Sequence, residues 1–129
     1  MQGLHLTADL HGCRADRPLM TDPQALRTLC LAAVGAAGLQ PVGELFHRFS
    51  QVAASEGLAP VGITGVVLLK ESHLAVHTWP ELAAVTLDVY VCNFGADNAP
   101  RAEAVLVALI DAFSPSTISR HALRRGVPA

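Results

Sequence analysis

Three strand-patterned runs follow one another between residues 62 and 92: GITGVVLLKE (62–71), HLAVHTWPE (73–81) and AVTLDVYVC (84–92). The links between them are hairpin-sized, whereas parallel neighbours need a crossover of about a dozen residues or more. This block therefore builds adjacent antiparallel strands. Its first run is apolar on both parities, which suits a strand covered on both faces.

The rest of the chain extends that sheet and covers it. Residues 3–12 alternate Leu4, Leu6, Ala8 and Leu10 with His5, Thr7 and Asp9, a strand pattern. Asp22 followed by Pro23 reads as a helix N-cap with proline at the first helical position. Leu26, Leu29, Cys30, Ala33, Val34 and Ala37 then fall at helical spacing, and Gly38 can close the helix. Cys30 lies on that stripe and is assigned to the core. Residues 40–49 read as a second strand, and 50–61, small and polar, as a loop. Asn98 is expected to cap a second helix, with Ala102, Val105, Leu106, Leu109, Ile110 and Phe113 on one face. A last strand is expected over 116–123. The order predicts one α+β domain spanning 1–129, a two-layer sandwich of a mostly antiparallel sheet with two helices packed on one face.

Composition narrows the function classes. Hydrophobic residues make up 51% of the chain and charged residues 16%, so a second copy covering part of the surface is expected. The formal net charge is -2 and no block of like charges occurs, which gives no nucleic-acid footprint. Arg120, Arg124 and Arg125 read as a solvated edge. No secretory leader pattern and no membrane-length apolar run are present. Three cysteines without a CxxC pair suggest a reduced, cytoplasmic location.

The segment KESHLAVHTWPE (70–81) concentrates reactive side chains, and three chemistries compete for it. His73 and His77 form HxxxH, but on a strand residues four apart lie about 13 Å from each other, too far to share one metal ion. Lys70 is the only lysine, yet no glycine-rich phosphate cradle accompanies it for a pyridoxal phosphate site. Ser72, preceded by Glu71, is the third candidate. A hairpin centred near Leu82 predicts Cys92 opposite Ser72, and Cys92 shares its face with Thr86, Asp88 and Tyr90. His77 is five residues from Ser72, an odd separation that puts the two on opposite faces unless the chain bends. Taken alone, the residues leave two readings open: a reactive serine, or a turn serine with a core histidine and a buried thiol.

ESHLAVHTWPE with a Cys-ending strand at this spacing resembles the S-adenosylmethionine decarboxylase proenzymes of bacteria and archaea. HLTADLHGC at the start, FHRF at 46–49 and GITGVVLLKES at 62–72 match family blocks in the same order, so the resemblance covers nearly the whole chain. It implies autocatalytic cleavage at Glu71-Ser72 into 1–71 (the β chain) and 72–129 (the α chain), which stay associated. Ser72 becomes a pyruvoyl group that forms a Schiff base with the substrate amine, without metal or pyridoxal phosphate. His77 matches the processing histidine, Thr64 a processing helper that is often serine, and Cys92 the proton donor. Phe49 matches the aromatic that stacks on adenine, and Glu81 the carboxylate that holds the ribose hydroxyls. Trp79 is assigned to packing. The implied product supplies aminopropyl groups for spermidine.

Departures from the family pattern bear on substrate choice: Asp9 stands where glutamate is common, His11 where an aromatic is common, the 50–61 loop is longer, and Lys70 adds a charge beside the junction. Two alternatives therefore stand beside S-adenosylmethionine: the same pyruvoyl chemistry on arginine or ornithine, and an uncleaved regulatory homologue. Phe49 and Glu81 favour the nucleoside, and Ser72, His77 and Cys92 favour cleavage. A homodimer sharing active-site residues is expected, with Phe49, on a different strand from the 72–92 hairpin, as a candidate for sharing.

Overall fold

The computed structural model describes residues 1–50 and 60–127, together with the backbone of two short strands within 51–59. The elements are β1 (Gln2–His11), α1 (Pro18–Thr21), α2 (Pro23–Ala36), β2 (Pro41–Arg48), β3 (Ala53–Ala54), β4 (Gly57–Leu58), β5 (Ile63–Leu69), β6 (Ser72–Trp79), β7 (Ala84–Cys92), α3 (Ala99–Phe113) and β8 (Thr117–Gly126). β3 and β4 pair with each other, and the remaining six strands form one sheet in the order β2-β5-β6-β7-β1-β8. Every neighbouring pair is antiparallel. The loop expected over 50–61 falls largely outside the described residues.

The strand alternation sorts the sheet into two faces. Leu6, Ala8 and Leu10 of β1, Leu74 and Val76 of β6, and Val85, Leu87, Val89 and Val91 of β7 join the apolar faces of α2 and α3 in a single core. Both long helices thus lie on one side. Asp22 accepts a hydrogen bond from the Gln24 N–H at 3.0 Å, the N-cap its position before Pro23 called for. At the other end Leu39 N–H donates to Val34 O and Gly38 N–H to Gly35 O, both at 3.0 Å, while Gly38 takes φ +81°. That pairing is the Schellman arrangement, and glycine adopts it without the penalty a Cβ would bring.

Two expectations need correction. The last strand runs from Thr117 to Gly126, longer than 116–123, because it pairs along the whole of β1. Asn98 stands at the N-cap of α3 as expected and its carbonyl accepts from Ala102 N–H, but its side chain makes no capping bond and is used elsewhere. An element with no sequence signal also appears: α1, four residues long, packs Met20 into the core and is tied to β6 by Thr78. Thr78 Oγ1 donates to Met20 O at 2.8 Å and accepts from Ile63 N–H at 2.9 Å, while only 3% exposed. Both hydrogen-bonding roles of the hydroxyl are thereby filled, which is what makes its burial tolerable.

The face away from the helices is only partly covered. Leu45 of β2, Leu68 of β5 and Leu123 of β8 are exposed there by 69%, 50% and 57%. No helix among the described residues is long and apolar enough to cross a membrane.

Candidate active site

Strand β6 carries the candidate residues at its two ends. At the first end, Lys70 and Glu71 form the two-residue link between β5 and β6, with Leu69 paired to Ser72. Glu71 sits at φ +59°, a left-handed conformation that costs a residue with a Cβ about 1–2 kcal/mol. The strain thus lies next to the Glu71-Ser72 peptide bond. Ser72 Oγ accepts a hydrogen bond from the Cys92 backbone N–H at 3.1 Å, across twenty residues of sequence. Cys92 is buried on the face away from the helices, at the end of β7, and with Glu71, Met1 and Phe94 lines a cavity of about 300 Å³.

The pairing of these strands differs by one residue from the expected one. His73 is opposite Tyr90 and Trp79 opposite Ala84, so continuing the ladder sets Ser72 against Val91 rather than Cys92. The reason is the link: a 3-10 turn over Pro80–Leu82, closed by Ala83 at φ +50°, which centres the hairpin between Glu81 and Leu82. Ser72 and Cys92 remain neighbours because Ser72 is the first residue of its strand and bonds diagonally.

At the other end of β6, His77 pairs with Thr64 of β5, and its Nδ1 lies 3.1 Å from Thr64 Oγ1. Phe49, Thr64, His77, Trp79 and Glu81 together line a cleft of about 330 Å³. Phe49 is held there because its N–H donates to Gly62 O at 3.2 Å and its ring meets His47 edge-on at 5.3 Å. Trp79, expected to be packing, is instead 41% exposed on the wall of this cleft.

The seven sequence-predicted residues thus form two groups, Glu71, Ser72 and Cys92 against Phe49, Thr64, His77 and Glu81. Five residues of extended strand separate Ser72 from His77 by about 16 Å. A single chain does not bring these groups together. Sequence reasoning missed a neighbouring polar group on the same sheet face as Cys92. There His5 Nε2 lies 2.9 Å from Asp88 Oδ1, and Tyr90 is flanked by His73 at 5.6 Å and by the Arg125 guanidinium at 5.8 Å. Its signal was present in the strand register, where His5, Tyr90 and His73 are successive cross-strand partners. Among the described residues no cluster of three or more metal-ligating side chains occurs.

A family model described as S-adenosylmethionine decarboxylase matches residues 4–126. The chain belongs to the S-adenosylmethionine decarboxylase family. A proenzyme of that name from Archaeoglobus fulgidus is 30% identical over 124 residues, covering 96% of this chain and 97% of the relative. One from Persephonella marina is 36% identical over 124 residues, covering 96% and 82%. A crystal structure described as the adenosylmethionine decarboxylase from Aquifex aeolicus VF5 superposes with a TM-score of 0.82 at 32% identity, covering 98% of this chain and 92% of that one. This member of the decarboxylase family therefore shares with a solved relative the sheet that carries both residue groups.

Proposed function

We propose that the chain is a proenzyme that cleaves itself between Glu71 and Ser72 and then decarboxylates S-adenosylmethionine. The observation that carries this reading is the junction itself. A strained Glu71 precedes a serine whose hydroxyl is held by the backbone of Cys92, a residue capable of donating a proton. Ser72 Oγ attacks the Glu71 carbonyl carbon, the peptide C–N bond breaks, and an ester joins the two segments. Removal of the Ser72 α-proton then breaks the Cβ–Oγ bond, and Oγ leaves as part of the Glu71 carboxylate. Water replaces the remaining nitrogen, which departs as ammonia.

The residues present fit a pyruvoyl group formed there. Serine alone supplies both the attacking oxygen and the three-carbon keto acid, and the adjoining cavity gives a substrate access to the position. When formed, the group supplies an electron-accepting carbonyl to the substrate amine. Cys92 delivers a proton to the carbon left by carbon dioxide. Phe49 stacks on adenine, Glu81 holds the ribose hydroxyls, and His77, oriented by Thr64, removes the Ser72 α-proton.

Because about 16 Å of strand separates His77 from Ser72 in one chain, these roles require a second copy. A homodimer joined through the partly covered sheet face, where Leu45, Leu68 and Leu123 are exposed, supplies His77, Phe49 and Glu81 to the Ser72 of its partner. Three free, buried cysteines suit a reducing, cytoplasmic compartment. The product feeds aminopropyl transfer to spermidine. The test is carbon dioxide release from a panel of S-adenosylmethionine, arginine and ornithine. Release from the sulfonium nucleoside alone supports the reading, and release from a free amino acid overturns the substrate assignment.

A further inference from the structure

Cys92 is held by side chains on both of its own backbone groups. Its N–H donates to Ser72 Oγ at 3.1 Å, and its carbonyl accepts from Asn98 Nδ2 at 2.8 Å. Asn98 is itself fixed, because its backbone N–H donates to Asn93 Oδ1 at 2.8 Å and its Oδ1 accepts from Arg101 Nη1 at 3.2 Å. The five residues between Cys92 and Asn98 are thus cross-bonded at both ends, like a latch joining the end of β7 to the start of α3. An asparagine at an N-cap ordinarily gives its side-chain oxygen to the first turn of the helix. This one makes no such bond, and its amide reaches back to Cys92 instead.

We propose that Asn98 is a positioning residue for the self-processing and protonation steps, holding Cys92 so that its N–H stays on Ser72 Oγ and its thiol faces the reacting carbon. The proposal rests on the roles of Ser72 and Cys92 given above. With N–H and carbonyl both fixed, rotation about Cα–Cβ is the thiol's main remaining freedom. In the precursor, the same clamp keeps a donor on the oxygen that must leave with the Glu71 carboxylate. If the thiol drifts, a proton reaches the wrong carbon. Water then splits the carbon–nitrogen double bond to the substrate carbon, so the substrate's nitrogen stays on the chain as alanine and the product departs as an aldehyde carrying the water oxygen.

Asn98→Asp separates this role from helix capping. Aspartate is as good an N-cap as asparagine and keeps an oxygen for Arg101, but it has no N–H for Cys92 O. Asn98→Ala removes the donor without placing a carboxylate beside that carbonyl. The measurements are the rate of chain cleavage, the melting temperature, and the N-terminal mass of the 72–129 fragment after turnover on S-adenosylmethionine. Both variants are expected to melt no more than about 4 °C below the parent, to cleave about fivefold more slowly, the worth of roughly one hydrogen bond, and to accumulate several times more alanine-ended chains. Wild-type cleavage rates and alanine fractions in Asn98→Asp would overturn the inference. So would an alanine fraction that stays at the wild-type level in both variants while the melting temperature falls by about 10 °C or more, since that marks a structural role. Failure of the wild-type chain to cleave at all would instead remove the reading on which the inference rests.

Discussion

Replacing Thr78 by valine keeps the side-chain shape and removes both hydrogen bonds that join α1, β5 and β6 beneath the His77 cleft. Ile63 is fully buried, so its N–H would lose its partner with no water to replace it, and Met20 O would lose its donor. Each orphaned buried group costs about 1–3 kcal/mol. The added methyl returns about 0.8 kcal/mol of apolar burial, leaving a net loss of about 1–5 kcal/mol, centred near 3 kcal/mol. Unfolding entropy of about 2.1 cal/mol/K per residue over 129 residues gives about 0.27 kcal/mol/K, so the melting temperature should fall by about 10 °C. Thr78→Ser is the control, since it keeps the hydroxyl and loses only a methyl, about 1 kcal/mol. Both substitutions belong in a Ser72→Ala background, where the chain stays whole, at one fixed protein concentration because association raises apparent stability. Urea unfolding with an unchanged slope gives the difference directly. If Thr78→Val proves as stable as Thr78→Ser, the buried hydroxyl is not what fixes α1 to the sheet.

Three further outcomes follow from the geometry. Burial pushes the Cys30 thiol from an ordinary 9.0 up to about 12. The folded chain therefore holds a proton that the unfolded chain releases, and stability falls as pH rises from about 9 to 12; Cys30→Ala should flatten that decline by about 1.4 kcal/mol per pH unit, and an unchanged slope in denaturation would contradict it. His77→Ala chains should stall before the pyruvoyl forms when expressed alone, and be cleaved when co-expressed with Ser72→Ala chains that retain His77; cleavage in the first case, or none in the second, argues against sharing between copies. Phe49→Ala should leave chain cleavage intact and raise KM for S-adenosylmethionine about fivefold or more, because base stacking on an aromatic ring is worth about 1–3 kcal/mol; an unchanged KM would remove Phe49 from adenine binding.

Local signals were legible wherever local physics decides. The Asp22-Pro23 cap, the apolar stripes of α2 and α3, and the alternation of β1, β6 and β7 each rest on residues a few positions apart. The Cys-ending strand likewise anticipated the meeting of Ser72 with Cys92, though one residue out of register. Features set by long-range contact were not legible. Helix α1 is too short to show a period, and its anchor on Thr78 spans 58 residues. The one-residue error in register came from a turn whose centre depends on Ala83 adopting a left-handed conformation. Asn98 has an ordinary capping sequence, and nothing local reveals that its amide turns to Cys92. The grouping of Phe49 with His77 and Glu81 required the pairing of β2 with β5 across the 50–61 segment.

The central claim is that Ser72 becomes the electron-accepting group of a decarboxylase, and the mass of the purified chain tests it most directly. The account predicts two fragments, of 71 and 58 residues, the smaller lighter by one ammonia than a serine-ended peptide and refractory to N-terminal amine chemistry, with Ser72→Ala remaining a single inactive chain. A wild-type protein that runs as one intact chain and still releases carbon dioxide from S-adenosylmethionine would contradict it.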